Sequence, residues 1–158
     1  MDSILDELAR SIPDFAEAAR VVIRLLAASL AGAVIGVQRE LSGKPAGLRT
    51  HMLVCIGTAL FVVASAESGM QQDAMSRVIQ GLITGIGFLG AGAIIKLEDT
   101  REIKGLTTAA GIWMTAAVGV AAGLGHLGTA ALGVLFAWVV LSLLVGVEAR
   151  LDSSGDRV

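Results

Sequence analysis

The sequence predicts an all-α membrane protein, a polytopic bundle of about five transmembrane helices. Of the 158 residues, 54% are hydrophobic and only 16% are charged, whereas soluble domains usually contain about 25% charged residues. The apolar residues lie in long runs separated by short charged clusters, and a bilayer core accommodates roughly 20 apolar residues per helix. Five such runs can be placed, so we expect one membrane domain at residues 19–148, followed by a short cytoplasmic tail at 149–158.

Residues 1–18 are predicted to form an amphipathic N-terminal segment. Ile4, Leu5, Leu8 and Ile12 have helical spacing, with charged residues between them. This pattern favours a short helix on the membrane surface. Acidic residues stand where a signal peptide would carry basic ones, so we do not expect a signal peptide.

The predicted spans follow one another with short connections. They are about Arg20–Val37, His51–Ala66, Arg77–Lys96, Leu106–Leu124 and Leu127–Val147. The first span contains Arg24, a cation that must either extend to the membrane surface or find a partner. The last two spans are joined by a tight turn at Gly125 and His126.

Lysine and arginine are concentrated on one side of the predicted bundle. Eight of the 12 basic residues lie in the two longer loops and the tail: Arg39, Lys44, Arg49, Lys96, Arg101, Lys104, Arg150 and Arg157. Three lie on the other side, and Arg24 lies inside the membrane. Because basic loops stay in the cytoplasm, we expect the N-terminus outside and the C-terminus in the cytoplasm.

The two basic loops end in similar residues. Gly47-Leu48-Arg49-Thr50 opens the second span, and Gly105-Leu106-Thr107-Thr108 opens the fourth. Each follows a charged loop that follows a span containing glycine. This indicates two parallel helical-hairpin repeats, spans one and two and spans three and four, with the fifth span as an extra helix.

The first candidate site is a set of polar residues at the cytoplasmic ends of the spans, which we call the polar cluster: Arg39, Glu40, Arg49, Thr50, His51, Lys104, Thr107 and Thr108. Charges at the membrane edge need partners, which favours an ion-pair network or an anion-contacting vestibule. The helix start at Gly47 suits an anion. The alternatives are a loop that only sets topology and threonines that only cap helices.

The third span is rich in glycine, at Gly81, Gly85, Gly87, Gly90 and Gly92. Glycines four residues apart mark a face where another helix can approach closely. The alternative is a broken helix whose exposed backbone lines an ion path. The run has no Lys-Ser/Thr after it, so it is not a phosphate loop.

Three further residues are candidates. Asp73 and Arg77 lie four residues apart before the third span, where Asp73 would suit a helix N-terminus, or both would line an outer mouth for a cation. Trp113 lies inside the fourth span, and its indole N–H should seek a partner.

Catalytic, metal and cofactor sites are not expected. Cys55 and the two histidines, His51 and His126, are isolated in the sequence, without zinc-ligand spacing. No span carries a central carboxylate for Mg²⁺. The net charge of −2 and the absence of a basic arm indicate no nucleic-acid partner.

These motifs together resemble one protein family. They are Arg39-Glu40, Ala46-Gly47-Leu48-Arg49-Thr50-His51, Gly85-Ile86-Gly87-Phe88-Leu89-Gly90-Ala91-Gly92 and Gly105-Leu106-Thr107-Thr108-Ala109-Ala110 with Trp113. Their order and spacing are similar to those of the bacterial MgtC/SapB (YhiD-type) membrane family, over roughly residues 20–145. Asp73 and Arg77 also fall where that family carries an Asp and an Arg.

The resemblance implies a bacterial inner-membrane protein linked to growth at low Mg²⁺. It also implies a membrane partner such as F-type ATP synthase, which the best-known member is said to restrain. Members with a virulence role carry a soluble C-terminal domain, so this chain is expected to be a short form.

Two functional hypotheses follow, with a purely structural assembly role as a weaker third. The leading one is a non-enzymatic regulator that acts on a membrane partner through its cytoplasmic loops. The alternative is a channel or transporter for Mg²⁺, K⁺ or H⁺, with the glycine-rich third span lining the path. In either case the glycines of that span predict a homo-oligomer.

Overall fold

Five α-helices account for nearly all of the described residues. The structure is a computed structural model that describes residues 14–96 and 103–155, with side chains described for 14–94 and 103–142. The helices are α1 (Phe15–Leu41), α2 (Leu48–Glu67), α3 (Gln72–Gly92), α4 (Leu106–Gly123) and α5 (Leu127–Gly155). The predicted all-α bundle is confirmed.

Four of these helices, α1 to α4, are long and apolar enough to cross a membrane. The apolar part of α5 with described side chains, Leu127–Ser142, is shorter. Helix α1 begins at Phe15, earlier than the predicted Arg20, because the Asp14 carboxylate accepts a hydrogen bond of 2.8 Å from the Phe15 N–H. Most of the predicted N-terminal segment, residues 1–13, lies outside the described residues.

A short antiparallel hairpin follows α3. Strand β1 (Ile95–Lys96) pairs with β2 (Ile103–Lys104), with Ile95 opposite Lys104. The prediction that the third span continues to Lys96 is therefore wrong, because α3 ends at Gly92. Ile94 and Ile95 are β-branched residues, which suit extended backbone better than helix.

Helices α1, α2 and α4 form the closely packed core, and α5 packs against α1 and α4. The buried residues of this core are small or medium in size: Ala28, Ile35, Cys55, Ala59, Val118, Ala122, Ala130, Ala137 and Leu141. Helix α3 lies at the side and packs mainly against α4, where Ile86 contacts a second buried cluster with Ile112 and Ala116.

Glycines make the closest helix contacts, and they lie on α1 and α4 rather than on α3. A Cβ added at Gly36 would lie 2.7 Å from the Leu48 Cα of α2, and one added at Gly123 would lie 2.7 Å from the Ala59 carbonyl oxygen. On α3, by contrast, a Cβ at four of the five predicted glycines would meet no described residue within 4 Å: Gly81, Gly85, Gly87 and Gly92. Within one chain, the predicted close packing of α3 is therefore limited to Gly90.

One contact occurs in both halves of the predicted repeat. A Cβ at Gly32 of α1 would lie 2.7 Å from the His51 carbonyl oxygen of α2, and a Cβ at Gly90 of α3 would lie 3.6 Å from the Ala109 Cβ of α4. Gly90 follows Gly32 by the same number of positions as Ala109 follows His51. This supports the parallel arrangement of two hairpins, α1–α2 and α3–α4.

Candidate functional site

The last turn of α1 meets the first turns of α2 and α4 at one end of the bundle, which we call the polar end. Arg39 lies there with only 3% of its surface exposed, and its Nη2 donates a hydrogen bond of 2.9 Å to Thr108 Oγ1 of α4. A cation in the last turn of a helix interacts favourably with the helix dipole. The Arg39 Nε, however, is buried and has no partner among the described residues.

His51 is fully buried beside this arginine. Its Nδ1 lies 2.9 Å from the carbonyl oxygen of Gly47, the N-cap residue of its own helix, and its Nε2 has no partner among the described residues. A Cβ at Gly111 of α4 would lie 3.5 Å from this Nε2. The imidazole therefore lies against Gly111 of α4, where an added Cβ would make an ordinary van der Waals contact with it.

Glu40 holds the start of α2. Its Oε2 accepts a hydrogen bond of 2.8 Å from the Leu48 N–H, and a Cβ at Gly47 would lie 2.8 Å from the same oxygen. An anion therefore already occupies this helix start, and it is the chain's own carboxylate. The expectation of an open anion site at Gly47 is wrong for this reason.

Threonines cap neither α2 nor α4. The N-cap residues are Gly47 and Gly105, and neither of these two residues has a side chain that could cap its own helix. Gly105 has a φ of 96°, a left-handed conformation that suits glycine, and an added Cβ would clash with the Ala93 carbonyl oxygen. Glycine at this position thus allows α4 to begin directly against the end of α3.

The two Gly-Leu-X-Thr helix starts do come together in space. Thr50 and Thr108 line the same cavity of about 380 Å³, which also touches Phe88 and Gly92 of α3. The fourth residue of each motif thus faces a common space between α2, α3 and α4. This agrees with the parallel repeat inferred from the sequence.

The polar cluster divides into a buried and an exposed part. Arg39, His51 and Thr108 are buried. The other members are exposed in the chain: Glu40, Arg49, Thr50, Lys104 and Thr107. The buried part links three helices, and the exposed part lies at the surface around it.

The remaining predicted residues do not join this end. Asp73 and Arg77 are exposed near the start of α3, and no salt bridge joins them in the described part of the chain. Helix α3 is continuous from Gln72 to Gly92, so the alternative of a broken third span is wrong over that range. Trp113 is 50% exposed and lines a cavity of about 150 Å³ between α3 and α4.

Two polar contacts were not predicted from the sequence. Arg24 Nη1 donates a hydrogen bond of 3.0 Å to the Gly123 carbonyl oxygen at the end of α4, where a cation suits the helix dipole. Gln38 Nε2 donates a bond of 2.8 Å to the Leu141 carbonyl oxygen of α5. Two features of the sequence could have indicated these contacts. Arg24 and Gln38 are polar residues inside or beside an apolar run, and glycines four residues apart on α4 mark a helix-contact face.

Potential metal ligands do not cluster where side chains are described, at residues 14–94 and 103–142. No group of three or more histidine, cysteine, aspartate or glutamate side chains there has the proximity to hold a metal ion. At the polar end, hydrogen bonds join helices and charged groups are exposed, and both features suit binding.

Comparison with known proteins gives a family and several relatives. The MgtC family matches residues 25–150. The chain is 45% identical to protein SrpB of Synechococcus elongatus, covering 75% of this chain and 71% of SrpB. It is 39% identical to the putative magnesium transporter YhiD of Escherichia coli, covering 84% of this chain and 64% of YhiD.

A third relative is protein MgtC of Salmonella typhimurium, which is 42% identical over 66% of this chain and 44% of that protein. The chain thus spans less than half of MgtC and just under two thirds of YhiD. No solved structure matches the chain.

Proposed function

Because this chain belongs to the MgtC family, we propose that it is a non-enzymatic inner-membrane protein that regulates a membrane partner when Mg²⁺ is limiting. The family link to magnesium is supported by the name of the relative YhiD, a putative magnesium transporter. A regulator needs a stable surface that a partner can bind. A transporter needs a polar path through the membrane.

The close contacts inside the bundle carry this proposal. Gly32, Gly119 and Gly123 bring the backbones of α1 and α4 against α2, so these three helices leave little space between them. The Thr58 hydroxyl, which lies beside Gly119, donates to carbonyl oxygens of its own helix. The close packing and the internally bonded Thr58 hydroxyl favour a protein that binds a partner at its polar end over one that conducts ions through its core.

The hydrogen bonds between helices at the polar end suit a rigid binding surface. The Arg39–Thr108 hydrogen bond connects α1 to α4, and the Glu40–Leu48 hydrogen bond connects α1 to α2. With these helix ends fixed, Arg49 and Lys104 are presented at the surface. The excess of lysine and arginine at this end supports a cytoplasmic location for it, with the N-terminus outside, and these basic residues suit a partner with acidic groups.

Charge reversal at the exposed part of the polar cluster tests this function. We expect Arg49→Glu and Lys104→Glu together to abolish capture of a membrane partner in mild detergent, with F-type ATP synthase as the first candidate. Arg20→Glu, an exposed reversal at the opposite end, is the matched control and should leave capture unchanged. Unchanged capture by the double variant, with the protein still folded by size-exclusion chromatography, would refute the proposal.

A transporter is the second candidate, and one observation favours it. A groove of about 700 Å³ runs between α2 and α3, and Gly57, Thr58, Gly81 and Gly85 line part of it. In liposomes, flux of Mg²⁺, K⁺ or H⁺ that is lost in Gly85→Leu would support this candidate. Gly128→Leu is the control, because Gly128 of α5 is equally open. Absence of flux in the unmodified protein would exclude the three ions.

A further inference from the structure

The outer face of α3 carries a regular line of polar and small residues, which we call the α3 seam. Its members are Asp73, Arg77, Gln80, Thr84, Gly87 and Ala91. Their spacing alternates between four and three residues, which places them in one row along a helix. All six are exposed in the chain, on the side of α3 away from Ile86 and Gly90, which face α4.

This composition does not suit contact with lipid. Exposed positions on the other helices carry large apolar side chains such as Leu53, Phe61 and Phe136, which lipid tails solvate well. Polar side chains inside a span usually face protein. The Thr84 hydroxyl is bonded to the Gln80 carbonyl oxygen, but the Gln80 side-chain amide has no hydrogen bond in the described part of the chain.

We propose that a second copy of this chain packs on the α3 seam, with α3 against α3 about a two-fold axis along the membrane normal. A row that repeats every 3.5 residues suits two helices crossing at about +20°. Gly87 and Ala91 leave room for the two backbones to approach closely near the polar end.

A second copy fits because the seam is complementary to itself. In a two-fold contact between parallel helices, each residue faces its own counterpart or a neighbour of that counterpart. Gln80 then meets Gln80, and an amide can both donate to and accept from an identical amide. Asp73 of one copy lies beside Arg77 of the other, so opposite charges meet twice across the axis.

The dimer leaves the polar end accessible, because the α3 seam faces away from the core helices. It also gives Gly87 a packing partner, since an added Cβ there meets no described residue within 4 Å. The inference is independent of the proposed regulatory function, since it rests on α3 and not on the polar cluster.

Cysteine cross-linking of the full chain in native membranes tests the seam. The single native cysteine, Cys55, is fully buried and serves as the background. Oxidation of Gln80→Cys, Thr84→Cys and Gly87→Cys should each give a disulfide-linked product of two copies. Ile83→Cys and Leu89→Cys, at half-exposed positions on the other faces of α3, are the controls and should give none.

Any of three results would overturn the proposal. The first is the absence of a cross-linked product at every seam position, the second is equal yields at seam and control positions, and the third is a product whose mass differs from that of two copies. The strongest yield at Leu89→Cys would instead place a neighbour in the groove between α2 and α3, which also contradicts the seam.

A charge exchange tests the predicted pairing of Asp73 with Arg77. Asp73→Arg and Arg77→Asp should each cause loss of the Thr84→Cys cross-link, because like charges then meet across the axis. The variant with both changes should regain the cross-link. A double variant as poor as the single ones would contradict the two-fold arrangement. These positions are exposed, so the fold of the single chain should not change.

Discussion

The two hairpins of the bundle begin from similar sequences but pack differently. In the first hairpin, α1 lies so close to α2 that an added Cβ at Gly32 or Gly36 would come within 2.7 Å of α2 backbone atoms. In the second, the equivalent contact of α3 with α4 at Gly90 is looser, at 3.6 Å, and the other α3 glycines are open. In the first hairpin, Gly32 and Gly36 pack against the neighbouring helix of the same chain. In the second, most glycines of α3 are exposed.

The difference shows that glycine spacing on a helix marks a contact face without saying which partner it meets. Gly32 faces His51, Met52 and Cys55 of α2, so its partner lies in the same chain. Gly87 of α3 has no such neighbour in the described residues. The seam beside it carries Gln80 and Thr84, which is why we assign that face to a second copy.

The largest expected effect comes from adding a large side chain at one glycine in each hairpin, a packed one in the first and an open one in the second. Gly36→Leu should lower the free energy of unfolding by about 3 kcal/mol, because the new side chain meets the Leu48 backbone. Gly85→Leu should change it by less than about 0.5 kcal/mol, because its position is open. Unfolding by sodium dodecyl sulfate in mixed micelles measures both. Equal losses would mean that α3 packs as tightly as α1.

The second expected effect separates buried from exposed threonines in one motif. Thr108→Val removes the acceptor of the Arg39 hydrogen bond and leaves a buried guanidinium donor unpaired, which should lower stability by about 2 kcal/mol. Thr107→Val is the matched control, since Thr107 is exposed and should be nearly neutral. The same unfolding assay distinguishes them, and similar losses for the two variants would contradict a specific role for the Arg39 contact.

Much of the fold could be predicted because the membrane restricts what a chain can do. Apolar runs of about 20 residues separated by charges allow few arrangements, so five helices and a polar end follow from the sequence. Whether a residue of the polar cluster is buried does not follow. Arg39 and Arg49 are both predicted in the polar cluster, but Arg39 is buried and contacts Thr108 of α4, whereas Arg49 is exposed.

The β1–β2 hairpin and the hydrogen bond of Glu40 at the start of α2 could not be predicted either, because both depend on contacts between separate segments of the chain. The hairpin of β1 and β2 depends on pairing between Ile95 and Lys104 across a connection, and a two-residue strand has no periodicity to detect. The use of Glu40 at the start of α2 depends on how the loop after α1 folds back. The local motif therefore predicted unbonded N–H groups at the start of α2, whereas in the structure the Leu48 N–H is bonded to the Glu40 carboxylate.

The smallest expected effect tests the start of α2, where the Glu40 carboxylate accepts a hydrogen bond from the Leu48 N–H. Glu40→Ala removes the carboxylate from the Leu48 N–H and should lower stability by about 1 kcal/mol, the typical value for losing a helix cap. Lys44→Ala, in the same loop and exposed, is the control. If Glu40→Ala is neutral in the unfolding assay while Thr108→Val is not, the Arg39–Thr108 hydrogen bond stabilises the polar end and the Glu40–Leu48 hydrogen bond does not. The N–H groups at the start of α2 would then be as available to an outside anion as the sequence predicts.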